Sequence, residues 1–124
     1  FLDLIKSETH SSNEKIKPFK NEFNHYLDIL KKFSDWTIQS TQNNKDGASA
    51  AANDYLKTLG YVSLAFSWIK ILNVSFKDYE ENKKFYDDKI NTAKFYFEKV
   101  LPRAEQHYKS AISGSSNIMN FKFN

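Results

Sequence analysis

The stretch IKPFKNEFNHYLDILKKFSDWT, residues 16–37, decides the fold class. Its apolar residues Ile16, Phe19, Phe23, Tyr26, Leu30 and Phe33, followed by Thr37, advance by three and four without a miss. That is one seam of a packed α-helix. Ser11-Ser12-Asn13-Glu14 stands just ahead of it, and the Ser-x-x-Glu spacing lets Ser11 and Glu14 satisfy each other's free backbone N–H groups. Pro18 falls in the first turns, where a missing N–H is tolerated. The polar run Gln42 to Gly47 ends the helix, with Asp46 placed to cap the next one.

The next helix is expected from about Ala48 to Val74, and it is apolar on two sides. Tyr55, Leu59, Val62, Phe66 and Ile69 share one face, while Tyr61, Leu64, Trp68 and Ile71 lie on the other. A helix of that kind is expected to be covered on both sides. Gly60 costs about 1 kcal/mol in a helix interior relative to Ala, so it is expected where another backbone approaches closely. Although Tyr55 to Phe76 is the most apolar region, Lys57, Lys70 and Asn73 keep its uncharged runs short of the roughly 20 residues that a membrane span needs. It reads as a core helix.

A third helix opens near Asp78 with a seam of Tyr86, Ile90, Ala93, Phe97, Val100, Ala104 and Ala111. Phe95 projects from the opposite side, Phe85 and Tyr96 from a flank. Pro102 must kink or split this helix, because it removes a ladder hydrogen bond. Ser113-Gly114-Ser115-Ser116 is expected to end it, with Ile118, Met119, Phe121 and Phe123 folding back as a short cover. No stretch alternates apolar with polar over strand length. The fold class is therefore all-α: an up-down antiparallel bundle of three long helices with short terminal segments.

The 124 residues fit one domain. There is no cysteine, which excludes thiolate nucleophiles, disulfides and sulfur-ligated metals and makes a reduced, cytoplasmic setting the default. The net charge of +3 is spread through alternating signs, so neither nucleic acid nor an anionic membrane is expected as a partner. Phe1-Leu-Asp-Leu-Ile5 reads as the end of an upstream helix or linker, assigned to residues 1–10, with the bundle at 11–124. The chain reads as the inside of a longer polypeptide.

Catalytic patterns are weak. Glu22-x-x-His25 has the spacing of a di-iron helix motif, but a second copy is missing, so both residues read as solvated surface. His10, His25 and His107 lack the lysine and small residue expected after a phosphorelay histidine. Glu80-Glu81 and Asp87-Asp88 are neighbours that point about 100° apart and cannot share a proton; Glu80 and Lys84 are spaced as an ion pair. No Gly-x-Ser-x-Gly elbow and no glycine-rich phosphate loop occurs. Catalytic, cofactor and metal residues are accordingly not assigned. The surplus of aromatic surface marks instead a candidate interface of Tyr61, Trp68, Phe95, Phe85 and Tyr96.

Asp46-Gly47-Ala48, Tyr55-Leu56-x-x-x-Gly60, Trp68, the run Phe85-Tyr-Asp-Asp-Lys89-Ile-Asn-Thr-Ala93-Lys-Phe95-Tyr-Phe97, Leu101-Pro102 and the closing Ile112 to Met119 together carry a resemblance. Over roughly Ile16 to Met119 the chain resembles the extra C-terminal helical domain of a subgroup of bacterial acyl-CoA dehydrogenases, the group that includes the methylmercaptopropionyl-CoA dehydrogenases. The resemblance implies a parent enzyme that removes hydrogens from the α and β carbons of an acyl-CoA thioester, with FAD as hydride acceptor and a carboxylate as base. It implies an upstream dehydrogenase core in the same chain, a homo-oligomer, and no catalytic or FAD-binding residue in this segment. A free-standing helical adaptor offering its aromatic face to a partner protein is the alternative.

Overall fold

The computed structural model describes residues 14–43 and 45–123, with side chains at 14–40 and 51–113. A 3-10 turn, Glu14–Ile16, leads into α1, Lys17–Asn43, and α2 follows at Lys45–Lys77. After a second 3-10 turn, Tyr79–Glu81, come α3, Lys83–Phe95, a π-turn, Tyr96–Val100, and α4, Arg103–Phe123. Among the described residues all regular structure is helical. α3 and α4 are the two halves of one long helix, so the architecture is the expected all-α bundle of three long helices.

Ring and side-chain contacts fix the directions. Phe23 stacks on Phe66 and Phe33 meets Tyr55 edge-on, so α1 and α2 run antiparallel. Tyr96 bonds to Tyr61 and Thr58 to Ala104, so the third helix returns antiparallel to α2. Phe19 against Phe97 and Phe33 against Tyr108 then place α1 and the third helix side by side and parallel. α2 is the central element.

The α1 seam is buried at Ile16, Phe23, Tyr26, Leu30 and Phe33, and Leu27 and Ile29 join it. All of these but Phe33 pack with Val62, Phe66, Ile69 and Leu72 of α2 and with Ala93, Tyr96, Phe97, Leu101 and Ala104. A second cluster forms around Phe33, Ala51 and Ala111, with Trp36, Tyr55 and Tyr108 packed against it. Length and composition alone would let Ala51–Lys77 cross a bilayer. In the bundle Val62, Ala65, Ile69 and Leu72 of that stretch have no exposure at all.

Several local expectations are corrected. Asp46 is not a cap, because α2 already begins at Lys45 and Asp46 lies in its first turn. Gly60 is not a point of close approach within the chain; a Cβ built there meets no atom within 4 Å. The third helix opens later than Asp78, at Lys83, because the Asn82 side chain accepts the backbone N–H of Phe85 at 3.2 Å and caps it. Glu80 pairs with Lys83 at 3.2 Å rather than with Lys84.

The split at Pro102 is as expected, and its form is informative. Leu101 N–H reaches back five residues to Tyr96 O at 2.8 Å, a π-type bond that inserts one extra residue before the proline. The helix does not stop at Ser113-Gly114-Ser115-Ser116, since α4 continues to Phe123. Small polar residues and one glycine each weaken a helix by only about 1 kcal/mol or less, too little to end it. The Ser11 half of the capping box and the segment Phe1 to Ile5 lie outside the described residues.

Candidate functional site

The outer face of α2 leaves a row of apolar side chains in water. Leu56, Gly60, Leu64, Ser67, Ile71 and Val74 follow one another at steps of four, four, three, four and three, which keeps them on one stripe. Leu56 is 61% exposed, Leu64 54%, and Val74 and Ile71 are exposed as well. Over about 27 Å of helix the centre of the stripe carries no charge, and Lys57 and Lys70 flank it on opposite sides. Water-facing helix sides are ordinarily polar.

The five interface candidates taken from the sequence do not lie on this stripe together. Tyr96 is inside the bundle at 7% exposure, its hydroxyl donating to the Tyr61 carbonyl, and burial holds its phenol well above the ordinary tyrosine range. Tyr61 and Trp68 are half-buried against the core, and the Tyr61 ring stacks on His107 with centroids 5.9 Å apart. Phe95 is 61% exposed, and Phe85 is exposed with Lys89 over its ring at 5.3 Å. Ten residues apart on α3, Phe85 and Phe95 face different directions.

Charged side chains gather elsewhere. His107 Nδ1 lies 2.8 Å from Asp54 Oδ1, tying α4 to α2 at a partly buried point; its long sequence separation hides the pair from a reading of the sequence. His25 stands 3.9 Å from Glu105. Among the described residues, three or more His, Cys, Asp or Glu side chains do not converge as a metal site.

Beside the helix break, α1 and the third helix leave a groove of two hollows, each of about 440 Å³. Phe19, Phe76, Ile90 and Phe97 line one of them, together with Lys15 and Lys94. The other is lined by His25, Tyr26 and Pro102 among others. Glu22, Phe97 and Glu98 line both. The Glu22 carboxyl sits above the usual carboxylate range, first because it is partly desolvated and then because Glu98 repels its charge, with His25 pulling the other way.

A family model described as acetyl-CoA dehydrogenase C-terminal like matches residues 1–122. The chain belongs to that family. No curated protein and no solved structure matches it in the same comparisons. In this acetyl-CoA dehydrogenase C-terminal-like domain, Tyr55-Leu56-x-x-x-Gly60 runs along α2 and brings Leu56 and Gly60 to its outer stripe, while Phe95 to Pro102 spans the helix break. The family implies a dehydrogenase core as the domain's partner in the same chain.

Proposed function

We propose that this chain is the C-terminal structural and assembly domain of an FAD-dependent acyl-CoA dehydrogenase, of the subgroup that includes the methylmercaptopropionyl-CoA dehydrogenases. The parent enzyme desaturates an acyl-CoA thioester between its α and β carbons, and this segment takes no part in the chemistry. The observation that carries the reading is the uncharged outer stripe of α2 in a member of a family whose partner is a dehydrogenase core. A stripe of this kind costs solvation unless another surface covers it.

In this reading the core covers Leu56, Leu64, Ile71 and Val74, and Phe85 and Phe95 are free for contacts with a second subunit of a cytoplasmic homo-oligomer. Tyr61, Trp68 and Tyr96 support that surface from below. In this reading α2 serves as a core helix rather than a span, with Val62, Ala65, Ile69 and Leu72 used inside the bundle. Residues 1–10 join the core to a bundle that occupies 11–124.

The test is to capture the native protein from its source cells with an antibody to this segment, and to read its intact mass and visible absorption. A chain several times heavier than 14.5 kDa, yellow and bleached by an acyl-CoA, is the expected result. A colourless chain no larger than this segment would overturn the proposal.

A further inference from the structure

We propose that the groove between α1 and the helix break binds a small hydrophobic cation, a primary amine carried on an aryl or alkyl stem. This goes beyond the dehydrogenase reading and does not rest on it. Each hollow holds about 440 Å³, within the range of small-molecule sites. The floor selects the stem: Phe19 and Phe97 meet edge-to-face at 5.3 Å and, with Phe76 and Ile90, offer aromatic and aliphatic walls but no hydrogen-bonding floor.

The head group is chosen by what the two hollows share. Glu22 comes from α1 and Glu98 from the π-turn, and they stand with Phe97 on the stretch common to both hollows. An ammonium there would share its lining with two carboxylates and an aromatic ring, the combination that stabilises a cation. The repulsion already noted between the two acids would be relieved by the same charge. The π-turn is what brings Glu98 and Phe97 to this wall together, since the extra residue rotates the chain just ahead of Pro102.

Other head groups fit less well. A carboxylate or phosphate at the shared wall would face both acids. Lys15 and Lys94 line only the hollow that holds Phe19 and Phe76, and neither lines the stretch that the two hollows share. A neutral apolar molecule would fill the floor but strip water from Glu22 and Glu98 without replacing it.

Calorimetric titration of the full-length protein with 4-phenylbutylamine, 4-phenylbutanol and 4-phenylbutyrate tests the assignment, because the three differ in head group on a common aryl stem. The amine is expected to bind at least tenfold more tightly than the alcohol, and the carboxylate more weakly than either. Glu22→Gln and Glu98→Gln are each expected to weaken the amine at least fivefold while leaving the alcohol unchanged; Lys94→Gln is expected not to weaken it. Both glutamates are exposed, so the variants are expected to fold and to melt within a few degrees of the parent. Equal binding of amine and alcohol, tighter binding of the carboxylate, indifference to both glutamate substitutions, or no binding of any probe would each overturn the proposal.

Discussion

Gly60→Ala separates what the bundle needs from what its outer face is for. Gly60 is exposed in the interior of α2, its backbone is not in the left-handed region, and an added Cβ meets nothing within 4 Å. The substitution therefore adds no clash, while it removes the conformational freedom that makes glycine about 0.8–1 kcal/mol worse than alanine inside a helix. At about 2.1 cal/mol/K per residue, 124 residues unfold with an entropy near 0.26 kcal/mol/K, so this gain corresponds to a rise of about 3–4 °C in Tm. Circular dichroism melts of the 124-residue chain with and without the substitution would measure it. A fall in Tm would refute the reasoning, because it would mean that the methyl group meets an atom within the bundle itself.

Three further substitutions address the interior and the groove. Tyr96→Phe keeps the ring beside Phe97 but loses the hydroxyl donated to Tyr61 O, and is expected to lower stability by about 1 kcal/mol in urea titrations; no loss would mean that the hydroxyl is not engaged there. Phe33→Ala empties the centre of the second cluster, where Phe33 touches Trp36, Tyr55 and Tyr108, and is expected to cost about 3–5 kcal/mol. Glu22→Gln acts through pH. A carboxyl raised in the folded state binds its proton more readily there than in the unfolded chain, so the parent loses stability as pH rises from the ordinary glutamate range through the folded value. The Gln variant is expected to lack that loss and to be about a few tenths of a kcal/mol more stable at neutral pH, a small effect because the group is largely in water; a parent that gains stability over that interval would contradict the direction.

The sequence discloses the bundle well where the helix period runs unbroken. The α1 seam from Ile16 to Phe33 could be read directly, because Ile16, Phe23, Tyr26, Leu30 and Phe33 all obey the three-and-four step; Leu27 and Ile29 widen the buried face beyond it. The third helix is less legible for a definite reason. Projecting Ala93, Phe97 and Val100 along one seam assumes a uniform period, but the π-turn adds a residue and turns the helix by about 100°. Tyr96 and Phe97 therefore both point inward, and Leu101 rather than Val100 is fully buried. Tyr96 was accordingly taken for a flank.

In α2 the two-sided apolar pattern was visible, and so was the mismatch it creates with a three-helix bundle. The two-sided pattern puts Leu64 and Ile71 under cover; among the described residues they are exposed, because neither α1 nor the third helix reaches that side. Leu56 and Val74 complete the stripe and could have been found by extending the same steps in both directions. The groove was not legible at all, because Glu22 and Glu98 come from separate helices and meet only through the register set by Phe19 and Phe97. The pairing of Asp54 with His107 depends on helix register in the same way.

The absence of cysteine from the chain makes the central claim directly measurable. Leu64→Cys and, as a control, Lys84→Cys place single thiols on the α2 stripe and on an exposed site away from it. In the native full-length protein, the rate of maleimide labelling at each position would be read by peptide mass mapping. If a dehydrogenase core covers the stripe, Cys at position 64 is expected to react at least a hundredfold more slowly than Cys at position 84, and to react freely once the protein is unfolded. Equal rates in the native protein would show that the stripe stays open to water and would contradict the account.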